Sequence, residues 1–285
     1  MSVSAIVVSF NAREHLLACT RSLRSAGIDE LIVVDNASSD GSLEAVTRAD
    51  SAVLGLQTGA NLGFGRAVNR GAARATNDLL LVCNPDTVIE PGAVAALSDA
   101  LAHDAGLGIV GARIESPDGC VYPSPRAFPN MVDALGHAFL GIVLPRNRFT
   151  RRYRLLDVDR SRLASDVDWV SGSCFMARRS TWDSIAGFDE AYFMFAEDVD
   201  LCWRAKRAGW RVGFVPDARV VHVQGVSVSQ HPYRMLVAHH RSLLRFSSRS
   251  TEGWRRLLLP LVALGLGLRL VVTCAHRAIE GRRNR

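Results

Sequence analysis

The chain has 285 residues, of which 48% are hydrophobic, and a formal net charge of +6. That length and apolar share exclude general disorder and allow one large domain, or one domain with an appendage. The charge is uneven: residues 1–233 carry 23 Lys+Arg against 26 Asp+Glu, whereas residues 234–285 carry 11 against 2, so the basicity belongs to the tail. Such a tail suits nucleic acid or an anionic membrane surface, and composition alone does not separate them. Cys19, Cys83, Cys120, Cys174, Cys202 and Cys274 lack C-x-x-C spacing, which speaks against a zinc site or redox pair and for small buried apolar residues in a reducing compartment.

In chain order, "MSVSAIVVSF" has no basic n-region and its short apolar run meets Phe10 and Asn11, so it reads as the first strand of a cytoplasmic domain rather than a secretory signal. As far as residue 112, short apolar runs alternate with amphipathic ones, as βαβ units do. The predicted strands are 4–10, 31–35, 52–56, 79–83 and 108–112; the predicted helices are 13–25, 42–49, 64–76 and 91–104. A Rossmann-like α/β architecture follows, with a mostly parallel sheet flanked by helices. Ligands of such sheets bind beyond the carboxyl ends of the strands, where Asn11, Asp35 with Asn36, and Asn84 with Asp86 fall.

Beyond residue 112 the alternation stops. "ESPDG" (115–119) has the composition of a hairpin turn. Arg146, Arg148, Arg151, Arg152 and Arg154 follow the apolar run 139–145, as an exposed loop or one touching anionic headgroups or a diphosphate. A second structured block comprises a strand within 166–179, a short helix over 180–187, a helix over 197–209 and strands over 211–216 and 219–223.

Several stretches carry chemistry. "GLGIVG" (106–111) has the letters of a dinucleotide fingerprint but follows a helix and contains a strand, the reverse of the required context. Asp35 ends a strand before a Ser-rich turn, where a carboxylate can accept the imide N–H of a uracil or thymine ring; Asp40 or Ser42 can cap the following helix. In "TGANLGFGRAVNRGA" (58–72) Asn61, Gly63 and Arg66 lie in a glycine-rich turn into a helix, either an anion site or a tight connection. Glu197, Asp198 and Asp200 follow Tyr192, Phe193 and Phe195; helix-dipole stabilisation accounts for one or two acids, and a carboxylate among aromatic walls can serve as a general base. His222, set against Asp86 across the same sheet edge, offers imidazole and carboxylate to a divalent cation.

"VVSFN", "VVDNASSDGS", "NLGFGRAVNRG", "LLVCNPDT", the run from "SGSCFMARR" to "AKRAGWRV" and "HVQGVS" stand in the order found in inverting glycosyltransferases of family 2, over residues 3–229. The chain resembles that family and its GT-A fold, in particular the actinobacterial cell-wall rhamnosyltransferases acting on polyprenyl-diphosphate-linked N-acetylglucosamine. The resemblance implies a catalytic domain over 1–230, with a nucleotide-binding half (1–112) and an acceptor half (113–230), followed by a helical segment over 231–285. It places Phe10 and Asn11 near the nucleoside, Asp35 on the base, and Asn61, Gly63, Arg66 and Asn84 along the nucleotide sugar. Asp86 would hold the metal, Mg²⁺ or Mn²⁺, and the donor diphosphate, with His222 completing that site. Asp198 would be the catalytic base, and Trp169, Glu197 and Asp200 would face the acceptor. Asn84 departs from a strict D-x-D motif and leaves one acid there.

The implied reaction is transfer of a sugar, L-rhamnose from dTDP-rhamnose, onto N-acetylglucosaminyl-diphospho-polyprenol in surface-polysaccharide synthesis. Rival readings are a catalytically silent sugar-nucleotide or glycan-binding protein, or a family 2 transferase with another donor sugar. Nucleic-acid binding is not expected, because the basic tail lacks interleaved aromatics and is too apolar for a solvated arm. Residues 257–268 are uncharged, but Pro260 and Arg269 favour an interfacial segment over a full span, and Arg241, Arg245 and Arg249 share a face suited to anionic lipid. The expected location is the cytoplasmic face of the membrane, peripheral or monotopic.

Overall fold

Strand residues of alternating parity supply two cores, one on each face of a single sheet. Ala5, Val7, Leu31, Val33, Leu79 and Leu81 point to one side, and Ile6, Val8, Ile32, Val34, Leu80 and Val82 to the other, all at most 6% exposed. Strands buried on both faces are the mark of parallel sheets covered by helices. The structure is a computed structural model and describes residues 2–128, 164–223 and 232–283. The arginine-rich stretch 146–154 and the end of "HVQGVS" lie outside the described residues.

The elements are β1 (Val3–Ser9), α1 (Arg13–Ser25), β2 (Glu30–Asp35), α2 (Ser42–Ala49), β3 (Leu54–Gln57), α3 (Phe64–Ala72), β4 (Leu79–Cys83), β5 (Thr87–Ile89), α4 (Ala93–His103) and β6 (Leu107–Glu115). There follow β7 (Cys174–Arg178), α5 (Arg179–Ser184), α6 (Glu197–Arg207), β8 (Arg211–His222), α7 (Pro232–Ser250), a 3₁₀ turn (Gly253–Leu258) and α8 (Leu259–Arg283). The eight strands lie in the order β3-β2-β1-β4-β7-β6-β8-β5. β3, β2, β1 and β4 run parallel, as do β6 and β8; β7 is antiparallel to both its neighbours, and β5 is antiparallel to β8.

Two features differ from the predicted elements. Residues 211–216 and 219–223 form one strand, which stays paired with β6 across a bulge where the register jumps from Ala112↔Val215 to Arg113↔Arg219. β5, only three residues long, was not expected; it pairs Thr87 with His222 and so sets the residue after Asp86 opposite the end of β8. The "GLGIVG" glycines serve packing: a Cβ on Gly111 would lie 2.4 Å from Val170 Cβ, and one on Gly108 would lie 2.6 Å from Thr181 Oγ1. The turn at 115–119 closes through Gly119 N to Ser116 O (2.8 Å) and Ser116 N to Cys120 O (2.9 Å). Cys19, Cys83, Cys174 and Cys202 are buried free thiols, Cys274 is partly covered and Cys120 is exposed.

The tail is two helices packed on each other. Pro260 sits at the second position of α8, where its missing N–H costs nothing, and the helix continues through Arg269. Neither residue interrupts it, so the stretch Gly253–Ala278 is long and apolar enough to cross a membrane by length and composition. Arg269 lies partly covered, whereas Leu261, Leu264, Leu268, Val271 and Val272 are all more than half exposed.

Candidate active site

The carboxyl edge of the sheet collects polar groups from β1, β2, β4 and β8. At the end of β2, Asp35 is 3% exposed; its Oδ2 accepts the Ser38 amide at 3.1 Å, while its Oδ1 is buried without a partner among the described residues. An orphaned carboxylate oxygen at a ligand edge is poised for an N–H donor such as a pyrimidine imide. Beside it, half-buried Phe10 leads into Asn11, which is left-handed (φ 49°) and accepts the Ser39 amide at 2.8 Å. Asn36 ties this turn to the next loop, donating to Asn61 Oδ1 (3.0 Å) and accepting the Leu62 amide (2.9 Å). Asn61 also accepts the Gly63 amide at 3.1 Å and is thus engaged in shaping its own loop. Arg66 is drawn to Glu190, whose carbonyl its Nε meets at 2.8 Å and whose carboxylate lies 3.6 Å away.

Gly63 has a physical reason to be glycine. Its φ is 86°, and a Cβ there would lie 2.2 Å from the Phe193 carbonyl oxygen, which accepts the Phe64 amide at 3.0 Å. This contact presses the loop 191–196 against the start of α3. The loop ends in two consecutive left-handed residues, Phe195 (φ 68°) and Ala196 (φ 61°), directly before Glu197. Non-glycine residues in that region cost on the order of 1 kcal/mol each and cluster at functional sites.

At the end of β4, Asp86 Oδ1 stands 3.0 Å from His222 Nε2, and both residues are 8% exposed. Asn84 Nδ2 lies 3.4 Å from the same imidazole nitrogen. Backbone bonds fix the pair: Val223 N donates to Asp86 O at 3.0 Å, and Thr87 Oγ1 donates to Asn84 O at 2.7 Å. Among the described residues no group of three or more His, Cys, Asp or Glu side chains converges as a metal cage. The donor set at this edge is therefore one carboxylate and one imidazole. That set fits a cation whose remaining ligands come from a bound diphosphate or water.

Asn84 N donates to Ser173 O (2.9 Å), and the adjacent Gly172 N donates to Asp198 Oδ2 (2.9 Å), so one short loop links the Asp86 edge to the start of α6. Asp198 keeps a solvent-facing portion and also accepts the Val199 amide at 2.9 Å. Burial raises its pKa, opposed by those amides and by the Arg126 guanidinium. Glu197 is 7% exposed with Oε2 unpartnered among the described residues, and burial together with the Asp198 charge pushes its pKa up to about 8. A half-open carboxylate of raised pKa, beside a buried carboxyl whose pKa is also raised, is chemically suited to general-base work.

The acids of α6 diverge in role. Asp200 is fully buried, bonded to Arg204 Nε at 2.6 Å and to Tyr192 Oη at 3.4 Å, with Arg249 Nη1 also 3.4 Å away. It offers no surface to an acceptor, contrary to the expectation, because its position on the helix turns it into the core. Trp169 is only 5% exposed; its Nε1 donates to Ala127 O (2.9 Å) and its ring lies 5.2 Å from the Arg126 guanidinium. Arg126 itself, stacked also on Tyr122 at 4.7 Å, is a cation beside Asp198 that sequence reasoning missed. No motif announces it, since it lies in the irregular stretch after the turn at 115–119.

A family model described as "Glycosyltransferase like family 2" matches residues 2–237. The chain belongs to glycosyltransferase family 2. This transferase is 38% identical over 264 residues to the N-acetylglucosaminyl-diphospho-decaprenol L-rhamnosyltransferase of Mycobacterium tuberculosis, a match spanning 88% of this chain and 85% of that one. It is 26% identical to the low-salt glycan biosynthesis hexosyltransferase Agl10 of Haloferax volcanii, over 79% of this chain and 68% of the relative. Among solved structures, the mannosyltransferase PcManGT of Pyrobaculum calidifontis, in complex with GDP-Man and Mn²⁺, matches the transferase with a TM-score of 0.63 at 17% identity, covering 96% and 75% of the two chains. TarS 1-349 of S. aureus in complex with UDP-GlcNAc gives 0.59 at 15% identity over 94% and 72%. These likenesses carry the fold, which is GT-A.

Proposed function

We propose that this family 2 glycosyltransferase moves L-rhamnose from dTDP-rhamnose onto N-acetylglucosaminyl-diphospho-polyprenol, with inversion at the anomeric carbon. The observation that carries the sugar and acceptor is the 38% identity, over nearly the whole of both chains, to a rhamnosyltransferase of that named acceptor. The site geometry supports the reaction class. Asp35 holds the base through its free Oδ1, with Phe10 and Asn11 beside the nucleoside, and Asn61, Gly63 and Asn84 line the donor path. Asp198 takes the proton of the acceptor hydroxyl as that oxygen attacks the face opposite the nucleotide. Glu197, neutral beside it, keeps a second negative charge away from the incoming alkoxide. The Arg126 charge opposes the rise of the Asp198 pKa caused by burial and so favours the ionised form that a base requires.

Asp86 and His222 would hold a divalent cation, Mg²⁺ or Mn²⁺, which when bound neutralises charge on the leaving diphosphate. Residues 1–230 carry the acids of the catalytic unit, its halves meeting near residue 112; within 231–285, α7 braces the loop before Asp198 and α8 holds the unit at the membrane. The exposed apolar face of α8 and the basic tail support attachment to the cytoplasmic face of an anionic bilayer. The test is to incubate purified protein with a panel of nucleotide sugars and polyprenyl-diphosphate-GlcNAc and to follow product mass. A single deoxyhexose added from dTDP-rhamnose is the expected outcome; transfer from another donor alone overturns the rhamnose assignment, and no transfer from any donor favours the silent binding protein.

A further inference from the structure

A groove of about 730 Å³ opens between α7 and the loop 191–196. Arg234, Arg241 and Arg245 line it from one face of α7, and Phe193, Tyr233 and Met235 supply apolar wall. Phe193 and Tyr233 are 38% and 48% exposed, unusual for large rings beside a site. Arg234 and Arg241 are exposed and have no acidic partner among the described residues. Arg245 gives one arm to Asp189 (2.8 Å), while its Nε is buried with no partner among the described residues. Two exposed guanidinium groups, with the Asp189-paired Arg245 beside them, over an apolar floor call for a ligand that is both multiply anionic and hydrocarbon.

We propose that this groove binds the diphosphate and first isoprene units of a prenyl-diphosphate-linked acceptor, an inference that rests on the lipid-linked acceptor proposed above. Guanidinium forks match diphosphate oxygens, and apolar surface beside them matches an isoprenoid chain. The wall residue Phe193 lies five positions before Asp198, on a loop pinned to α7 by Ser242 Oγ donating to Met194 O at 2.9 Å. In such an acceptor one hexose ring separates the reacting hydroxyl from the diphosphate, so the sugar lies over this loop, with its hydroxyl at Asp198 and its diphosphate at the arginines. α8, with its exposed apolar face, packs on the same α7, which puts the groove next to the layer from which a prenyl tail emerges.

The test uses the full chain in detergent micelles, with farnesyl diphosphate, inorganic pyrophosphate and farnesol as probes in titration calorimetry. Farnesyl diphosphate should bind more tightly than either fragment, and the double substitution Arg234→Glu, Arg241→Glu should weaken it at least about tenfold, as loss of charge-assisted bonds requires. With lipid-linked acceptor the same variant should raise the acceptor KM by a similar factor, leaving the nucleotide-sugar KM unchanged, while its preference over a neutral alkyl GlcNAc falls. An unchanged farnesyl diphosphate affinity overturns the proposal, as does equal affinity for pyrophosphate alone. Loss of flotation with anionic vesicles without loss of farnesyl diphosphate binding assigns the arginines to the bilayer and also overturns it. Calorimetry stands without turnover: binding with no transfer sinks the transferase reading and spares the groove, and transfer with an unaffected variant does the reverse.

Discussion

In the proposed reaction the chemistry is concentrated on Asp198. Asp198→Asn is close in shape and keeps one of the two oxygens that accept the Gly172 and Val199 amides, but it cannot take a proton, so transfer should fall by at least about 10²–10⁴, the range of a lost general base. Calorimetric affinity for the nucleotide sugar should stay unchanged; equal loss of both would point to Glu197 instead. Glu197 has its own signature. Because its pKa is raised from 4.5 to about 8, the folded state holds a proton across that window that the unfolded chain has released. Stability should therefore decline as pH rises from about 5 to 8, by up to about 1.4 kcal/mol per unit, and Glu197→Gln should flatten the profile of urea midpoint against pH. At the other edge, Asp86→Ala and His222→Ala should each abolish any stimulation by Mn²⁺ or Mg²⁺, and activity that persists undiminished in EDTA would exclude the cation. The sequence made Asp35, Asp86 and His222 legible because each ends a run of buried strand. It did not separate Asp200 from Asp198, since acids two positions apart differ only by the turn of the helix that sends one inward.

Elements were legible in proportion to their periodicity. The parallel βαβ portion follows from alternating apolar runs, while three-residue β5 has too few residues to show a period, and β8 hides its continuity behind Pro216 and a bulge. The glycine-rich turn before α3 was ambiguous between an anion site and a tight connection. The structure shows its physical constraint to be steric, because the Phe193 backbone occupies the space of a side chain at position 63. Gly63→Ala must displace that backbone or adopt a disfavoured φ, and should cost about 1–3 kcal/mol, seen as a lowered Tm, with transfer reduced further as the Asp198 loop shifts.

For the molecule as a whole, the tail couples attachment and architecture. Replacing exposed Leu261, Leu264 and Leu268 by Ser removes apolar surface without touching the packed face of α8, and should abolish flotation with anionic liposomes while leaving Tm unchanged. Retained flotation would assign attachment elsewhere. The other tail helix serves a different end. Ser242 holds the Met194 carbonyl, Arg245 and Arg249 bind Asp189, and Arg249 reaches Asp200, so α7 braces the strained loop from behind. The family match ends at residue 237, inside α7, whose last residue is Ser250. A chain trimmed at the match boundary to gain solubility would lose every one of these braces. It would keep all the acids of the site and lose the contacts that brace the turn before Asp198, so transfer by a chain ending at residue 237 should fall below that of one ending after Ser250.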